Sequence, residues 1–342
     1  MPKILIIRFS SIGDIVLTTP VIRNVKLQVP DAEVHYCTRE NYQNIVIDNP
    51  HVDKVFVLKN SIYDLAKQLR AEKYDYILDL HHNLRTLRLK TLLGVYSPFA
   101  KFINKPKCAS FNKLNFEKFM YVNFAVNKMP ALHIVDRYLA TTEMLNVVPD
   151  DLGLDYFIPH KDIVEISWLP ETHQKGYAAY TVGAQHNTKK LPFAKMIELC
   201  EKINYPIVLL GDKNDAKIGE EIEKYFANMT SNTTSNIASK VKIYNACGKF
   251  NLNQSASLLK QATVVFAHDT GLMHIAAALQ KTVYSIWGNT TPSLGMYPYR
   301  TKFIILENKN LDCRPCSKIG FDKCPKGHFK CMNDINFEGI NL

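Results

Sequence analysis

Short apolar runs alternate with segments of helical spacing along most of this chain, and that alternation constrains the fold more than any other feature. "KILIIRF" (Lys3 to Phe9), "AEVHYCT", "KVFVL" and "YDYILDL" are compact runs rich in Ile, Val and Leu. Runs that are apolar throughout, rather than every second residue, suit strands covered on both faces. Between them, "SIYDLAKQLRAE" and "NLRTLRLKTLLG" carry apolar residues at helical spacing. So does "GDIVLTTPVIRNVKLQVP", where Pro20 interrupts the first turns. Strands that alternate with helices predict an α/β fold with a parallel sheet between helical layers.

Ala100 to Val126 is rich in Lys, Asn and Phe, and predicts an irregular surface segment before a helix over "HIVDRYLATTEMLNVV" (His133 to Val148). The polar stretch Pro159 to Gly176 holds two prolines and predicts a domain boundary. Beyond it the alternation restarts. "GYAAYTVGA", "YPIVLLGD", "VKIYNACGK", "TVVFAHD" and "TVYSIWG" read as strands. "PFAKMIELCEKI", "DAKIGEEIEKYFAN", "NLNQSASLLKQA" and "GLMHIAAALQK" read as helices, and "SNTTSN" (Ser231 to Asn236) as a polar loop. With 342 residues, two domains are expected, at 1–165 and 176–342.

The net charge of +10 favours an anionic partner or simply solubility. There is no Lys/Arg block and no nucleic-acid-binding motif, so nucleic acid is not an expected partner. No run approaches the roughly eighteen apolar residues of a membrane span. The start, "MPKILIIRFSSIGD", turns polar too soon for a signal peptide, so a cytoplasmic location is expected.

Four stretches carry chemistry. In "FAHDTGLMHIAAAL" (Phe266 to Leu279) a strand turns sharply into a helix. Helix N-termini leave N–H groups unpaired and carry partial positive charge, and glycine lets an anion approach them. Asp269, Thr270 and Gly271 therefore form a phosphate seat, with His274 as an added donor; alternatively Asp269 or Thr270 caps the helix and His274 is a core residue. In "RFSSIGD" (Arg8 to Asp14), Asp14 is either a base at a strand exit or the acid of a capping box. In "GAQHNTKKLP" (Gly183 to Pro192), Lys189 and Lys190 reach a phosphate or remain a solvated pair. In "LLGDKND" (Leu209 to Asp215), Asp212 or Asp215 holds a ribose hydroxyl or complements a helix dipole.

Absences narrow the choice. The sequence contains no G-x-G dinucleotide fingerprint and no G-x-x-x-x-G-K-[ST] P-loop. It also lacks an Asp-x-Asp pair to hold the divalent ion of a metal-dependent sugar transferase. A single Asp-Thr-Gly in an α/β pattern does not suit an aspartic protease, which needs two such carboxylates on a largely β scaffold.

Of eight cysteines, Cys37, Cys108, Cys200 and Cys247 are scattered and are expected to be buried as small hydrophobes. Cys313, Cys316, Cys324 and Cys331 lie close together, with His328 among them. They predict either a structural zinc site or a loop of reduced thiols packed on the second domain.

Together, "ILIIRFSSIGDIVLTTPVI", "HIVDRYL", "VGAQHNTKKLPFAKM" and "FAHDTGLMHIAAALQKTVYSIWGNTTP" resemble glycosyltransferase family 9, the bacterial lipopolysaccharide heptosyltransferases, over nearly the whole chain. The Cys-rich end is similar to that of many members. The resemblance implies the GT-B fold, in which two Rossmann-like domains with parallel sheets face each other across a cleft. The N-terminal domain would take the acceptor, and the C-terminal domain the nucleotide-diphosphate sugar. It implies inverting transfer that needs no catalytic metal or other cofactor, from ADP-heptose to an acidic glycolipid of the lipopolysaccharide core at the inner membrane face.

Position by position, the resemblance makes Asp14 the general base and Lys189 the cation on the donor diphosphate. Asp269 lies near the donor sugar, Thr270, Gly271 and His274 form the phosphate seat, and Asp215 is an acid near the nucleoside. Leu191 stands where the family often has Trp, and Val182-Gly183-Ala184-Gln185 replaces its usual donor loop. A transferase of another sugar to a surface glycan, and a non-catalytic nucleotide-sugar-binding protein, are the alternatives.

Overall fold

The computed structural model describes residues 1–96, 105–232 and 241–340. They fall into two compact units, Met1–Lys113 with Leu132–Phe157, and Leu114–Ala131 with Ile158–Leu342.

The first unit is built on five strands: β1 (Lys3–Ile7), β2 (Glu33–Arg39), β3 (Lys54–Leu58), β4 (Tyr76–Asp79) and β5 (Lys107–Ser110). Their order is β3-β2-β1-β4-β5, and every pairing is parallel. Ile4 to Ile7 of the central strand are fully buried, as their unbroken apolar run requires. Helices α1 (Ile12–Val16), α2 (Thr19–Gln28), α3 (Ile62–Glu72) and α4 (Leu84–Leu92) connect the strands. The long helical segment predicted after β1 is thus two helices. Pro20 lies in the first turn of α2, where its missing N–H costs nothing.

The stretch read as irregular is more ordered than expected. Its described part contains β5 and helix α5 (Asn115–Phe124); 97–104 lie outside the described residues. Helix α6 (Ile134–Leu139) then continues as a 3-10 helix to Leu145, and α7 (Glu171–Gln174) lies in the stretch read as the domain boundary.

The second unit has six strands: β6 (Ala178–Thr181), β7 (Ile207–Leu210), β8 (Ile243–Asn245), β9 (Val264–His268), β10 (Val283–Trp287) and β11 (Phe303–Glu307). The order is β11-β10-β9-β6-β7-β8, again all parallel. β11 lies beyond the predicted elements. The connecting helices are α8 (Phe193–Ile203), α9 (Ala216–Asn232), α10 (Leu252–Gln261) and α11 (Gly271–Ala278). Helix α9 runs into the polar loop predicted from Ser231, and the rest of that loop lies outside the described residues. A short helix, α12 (Lys330–Asn333), closes the Cys-rich segment and puts Cys331 and Met332 into the core.

Each sheet is therefore a parallel α/β layer, as predicted. Each also has one place where the strand order reverses, between β1 and β4 in the first and between β6 and β9 in the second. Ligands bind beyond the strand C-termini at such points.

Candidate active site

In the second unit, the reversal point brings together the loops after β6 and β9. Lys189 Nζ lies 2.6 Å from Asp269 Oδ2, and Thr290 Oγ1 donates to the same oxygen at 2.9 Å. Both charged side chains are mostly buried, with 16% and 10% exposed. Lys190 Nζ is 3.0 Å from Asp215 Oδ1. The lysines are thus not a solvated pair, since each faces its own carboxylate.

Asp215 closes a small brace. Its Oδ2 accepts from Asp212 N–H at 3.1 Å, completing the capping box of the turn Lys213–Asp215. A Cβ on Gly183 would meet Oδ2 at 2.1 Å, and one on Gly211 would meet the Asp215 Cβ at 2.7 Å. Glycine at both positions is what lets this buried carboxylate sit between the two loops.

Helix α11 begins at Gly271 with Thr270 as its N-cap, yet Thr270 makes no side-chain cap bond. Its Oγ1 is buried without a hydrogen-bond partner among the described residues. Asp269 is occupied by Lys189 and Thr290. Among the described residues, neither the Asp269 nor the Thr270 side chain therefore takes up the first-turn N–H groups. His274 is buried in α11, at 2% exposure.

Two features here escaped the sequence reading. His268, the last residue of β9, accepts from Leu191 N–H through Nε2 at 3.1 Å and so pins the lysine loop to the sheet. Burial, aided by Lys190, pushes its pKa down to about 3, so the ring is neutral. Asn289 is buried, and neither side-chain polar atom has a partner among the described residues. An amide so placed wants a ligand or water. The quoted "WGNTTP" contained it, without a signal to set it apart.

The Cys-rich segment braces this site. Thr188, beside Lys189, exchanges hydrogen bonds with the Phe321 backbone, at 3.0 Å from its N–H and 2.8 Å to its Oγ1. Arg314 NH2 donates to the Thr290 carbonyl at 2.8 Å and pairs with Glu307 at 3.0 Å. All eight cysteines are free thiols. Cys37, Cys200 and Cys247 are buried as expected, whereas Cys108, on the edge strand β5, is half-buried.

Among Cys313, Cys316, Cys324 and Cys331, burial and the neighbouring sulfurs push the Cys316 thiol up to about 12. Burial pushes Cys331 up to about 11. Four sulfur donors match the chemistry of a soft divalent cation. They are not drawn to ligand spacing: among the described residues, the group of His, Cys or carboxylate atoms within 4.8 Å of one another is Glu33, His35 and Glu72. That group is filled by lysine, with Lys3 2.8 Å from Glu72 and 3.2 Å from Glu33.

In the first unit, Asp14 sits just beyond β1. Its Oδ2 accepts from Ser11 N–H at 3.2 Å and Ser11 Oγ at 2.8 Å, so the capping box is real. Its Oδ1 lies 2.7 Å from Arg8 NH2, a pairing absent from the sequence reading although Arg8 opens the same motif. Arg8 is buried and also donates to the Leu80 carbonyl at 2.6 Å and Tyr138 OH at 2.9 Å. Burial works against its charge, but Asp14, together with Tyr138 and Tyr36, holds Arg8 above its usual pKa. Next to this pair is His81, just past the C-terminus of β4. Burial and then Arg8 lower its pKa to about 4, and its Nδ1 has no partner among the described residues.

The family model for glycosyltransferase family 9 (heptosyltransferase) matches residues 62–324. A lipooligosaccharide heptosyltransferase 2 of Haemophilus influenzae is 25% identical over 314 residues, which covers 85% of this chain and 84% of that protein. The solved glycosyl transferase family 9 protein of Veillonella parvula superposes with a TM-score of 0.69 at 20% identity, covering 90% of this chain and 86% of that one. The E. coli ADP-heptose lps heptosyltransferase II does so with a TM-score of 0.66 at 18% identity, covering 97% and 98%. With its two parallel α/β sheets and a family match over most of its length, this chain is a GT-B enzyme and belongs to glycosyltransferase family 9.

Proposed function

We propose that the chain transfers heptose from ADP-heptose to an acidic lipopolysaccharide-core acceptor at the inner membrane face, with inversion and without a catalytic metal. The observation that carries this is the Lys189–Asp269 pair, set at the strand reversal in front of the uncapped first turn of α11. A nucleoside diphosphate carries the charge this arrangement suits. The heptose and the ADP come from the names of the relatives.

In this reading the Asp14 carboxylate takes the proton from an acceptor hydroxyl. The hydroxyl oxygen bonds to the anomeric carbon, and the bond from that carbon to the diphosphate breaks. ADP leaves with the electron pair, and Lys189 and the α11 N–H groups meet its charge. Thr270, Gly271 and His274 form that seat. Among the described residues, the hydrogen bonds to the Asp269 side chain, from Lys189 and Thr290, end on Oδ2, which leaves Oδ1 for a sugar hydroxyl. Asp215 acts on the nucleoside side through Lys190. The positive charge comes from lysine and a helix end, in keeping with a sequence that lacks Asp-x-Asp.

The test is thermal stabilisation of the purified protein by ADP, UDP, GDP and CDP. At a hundredfold excess over its dissociation constant, the cognate nucleotide adds about 2.7 kcal/mol of stability. ADP is expected to give the largest shift. A larger shift with another nucleotide would overturn the heptose assignment, and no shift with any would overturn the donor site.

The four cysteines complete the proposal as a structural metal site, with zinc as the expected ion and thiolates as its ligands. Its role is to hold the segment that grips Thr188 and Thr290. Removing metal from the holoprotein is expected to lower Tm and raise KM for the donor more than it lowers kcat. Elemental analysis for zinc and iron checks the premise. A metal-free preparation with full stability would leave the reduced-thiol alternative.

A further inference from the structure

Helix α5 has its apolar stripe on the wrong side for a soluble domain. None of its residues is buried. Phe116, Phe119 and Phe124 are 69%, 55% and 60% exposed, at i, i+3 and i+8 along one face, with Met120 between them. A helix that packs on a core turns such a stripe inward. Here it faces solvent, and Val126, two residues past the helix end, is exposed as well. The helix is not loose: Tyr121 OH and Ser293 Oγ are 3.0 Å apart, and the Phe119 and Phe124 rings meet edge to face at 5.8 Å. In sequence, Lys118 and Lys128 accompany the stripe, against Glu117 as the one acid between 114 and 131.

We infer that α5, with Val126, is the surface by which this chain lies on an anionic lipid bilayer. Phenylalanines beside lysines are the chemistry of an interfacial helix: the rings enter the headgroup boundary and the ammonium groups meet lipid phosphates. The chain's net charge of +10 has the same sign preference. No helix among the described residues is long and apolar enough to cross a membrane, so α5 lies on the bilayer and does not span it. The inference builds on the proposed lipid acceptor, but its test does not require transfer.

The test is co-sedimentation of the full chain with phosphatidylcholine vesicles, with and without about 30% phosphatidylglycerol, an anionic lipid that gives the surface its negative potential. Binding is expected on the anionic vesicles and is expected to fall as salt rises. The triple variant Phe116→Ser, Phe119→Ser, Phe124→Ser is expected to bind at least about tenfold more weakly. Lys128→Glu should cost about fivefold or more. All four residues are exposed, so Tm should not change.

Equal binding by the triple variant would overturn the inference. So would absence of binding by the parent, or self-association that the same variant abolishes, which would assign the face to a second copy. Vesicle binding without transfer from ADP-heptose would strike only the proposed function. Transfer to the lipid acceptor without vesicle binding would strike only this surface.

Discussion

Asp14→Asn is expected to reduce transfer by about 10²–10⁴-fold, the range a positioned general base contributes. ADP binding, measured by thermal shift, should stay at the parent level. The amide keeps an oxygen that can accept from Ser11, so the capping box can survive. What it cannot do is take a proton or neutralise Arg8. Arg8 is 8% exposed, and a buried guanidinium without its counter-ion costs about 3–5 kcal/mol at most. A companion variant, Arg8→Met with Asp14→Asn, removes the stranded charge. It should recover stability and leave transfer as low as in Asp14→Asn. If activity returns with stability, Asp14 is a cap and an ion-pair partner and nothing more.

Lys189→Met is the second large effect, and it too has two parts. A charge-assisted contact contributes about 1.5–3 kcal/mol, so donor affinity should fall about 10- to 100-fold. Separately, Asp269, with its side chain 10% exposed, loses its cation and keeps the Thr290 hydrogen bond. Adding Asp269→Asn relieves that second cost, because the amide oxygen still accepts from Thr290 and no charge is left unpaired. The double variant should therefore regain Tm without regaining donor affinity. A double variant that binds ADP as the parent does would show that Lys189 serves the fold and not the donor.

The α/β alternation was readable because buried parallel strands must be apolar throughout. β1 and β9 are covered on both faces, and their runs say so. The strands not predicted, β5 and β11, are both sheet edges. β5 reads "KCAS", too short and mixed to stand out, because half of an edge strand faces solvent. Helix α5 was missed for a related reason. Its apolar spacing is helical, but the stripe sits among Asn, Lys and Glu in a segment whose composition looks irregular, and nothing local says that it points outward.

The site divides in the same way. Asp14, Lys189, Asp269 and Gly271 each stand at a strand exit or a helix start, and such places are visible in one dimension because the turn chemistry is local. Whether Asp14 caps, pairs or reacts is not local. It depends on Arg8 being driven into the same pocket by Leu80 and Tyr138, the latter 130 positions away. Lys190 finds Asp215 only because β6 and β7 are neighbours, and Thr188 meets Phe321 only because the Cys-rich segment folds back 133 residues later. Chain order dictates the elements, since propensity and burial act along the chain. Which charges end up paired is left to packing, because an ion pair needs only nearness in space.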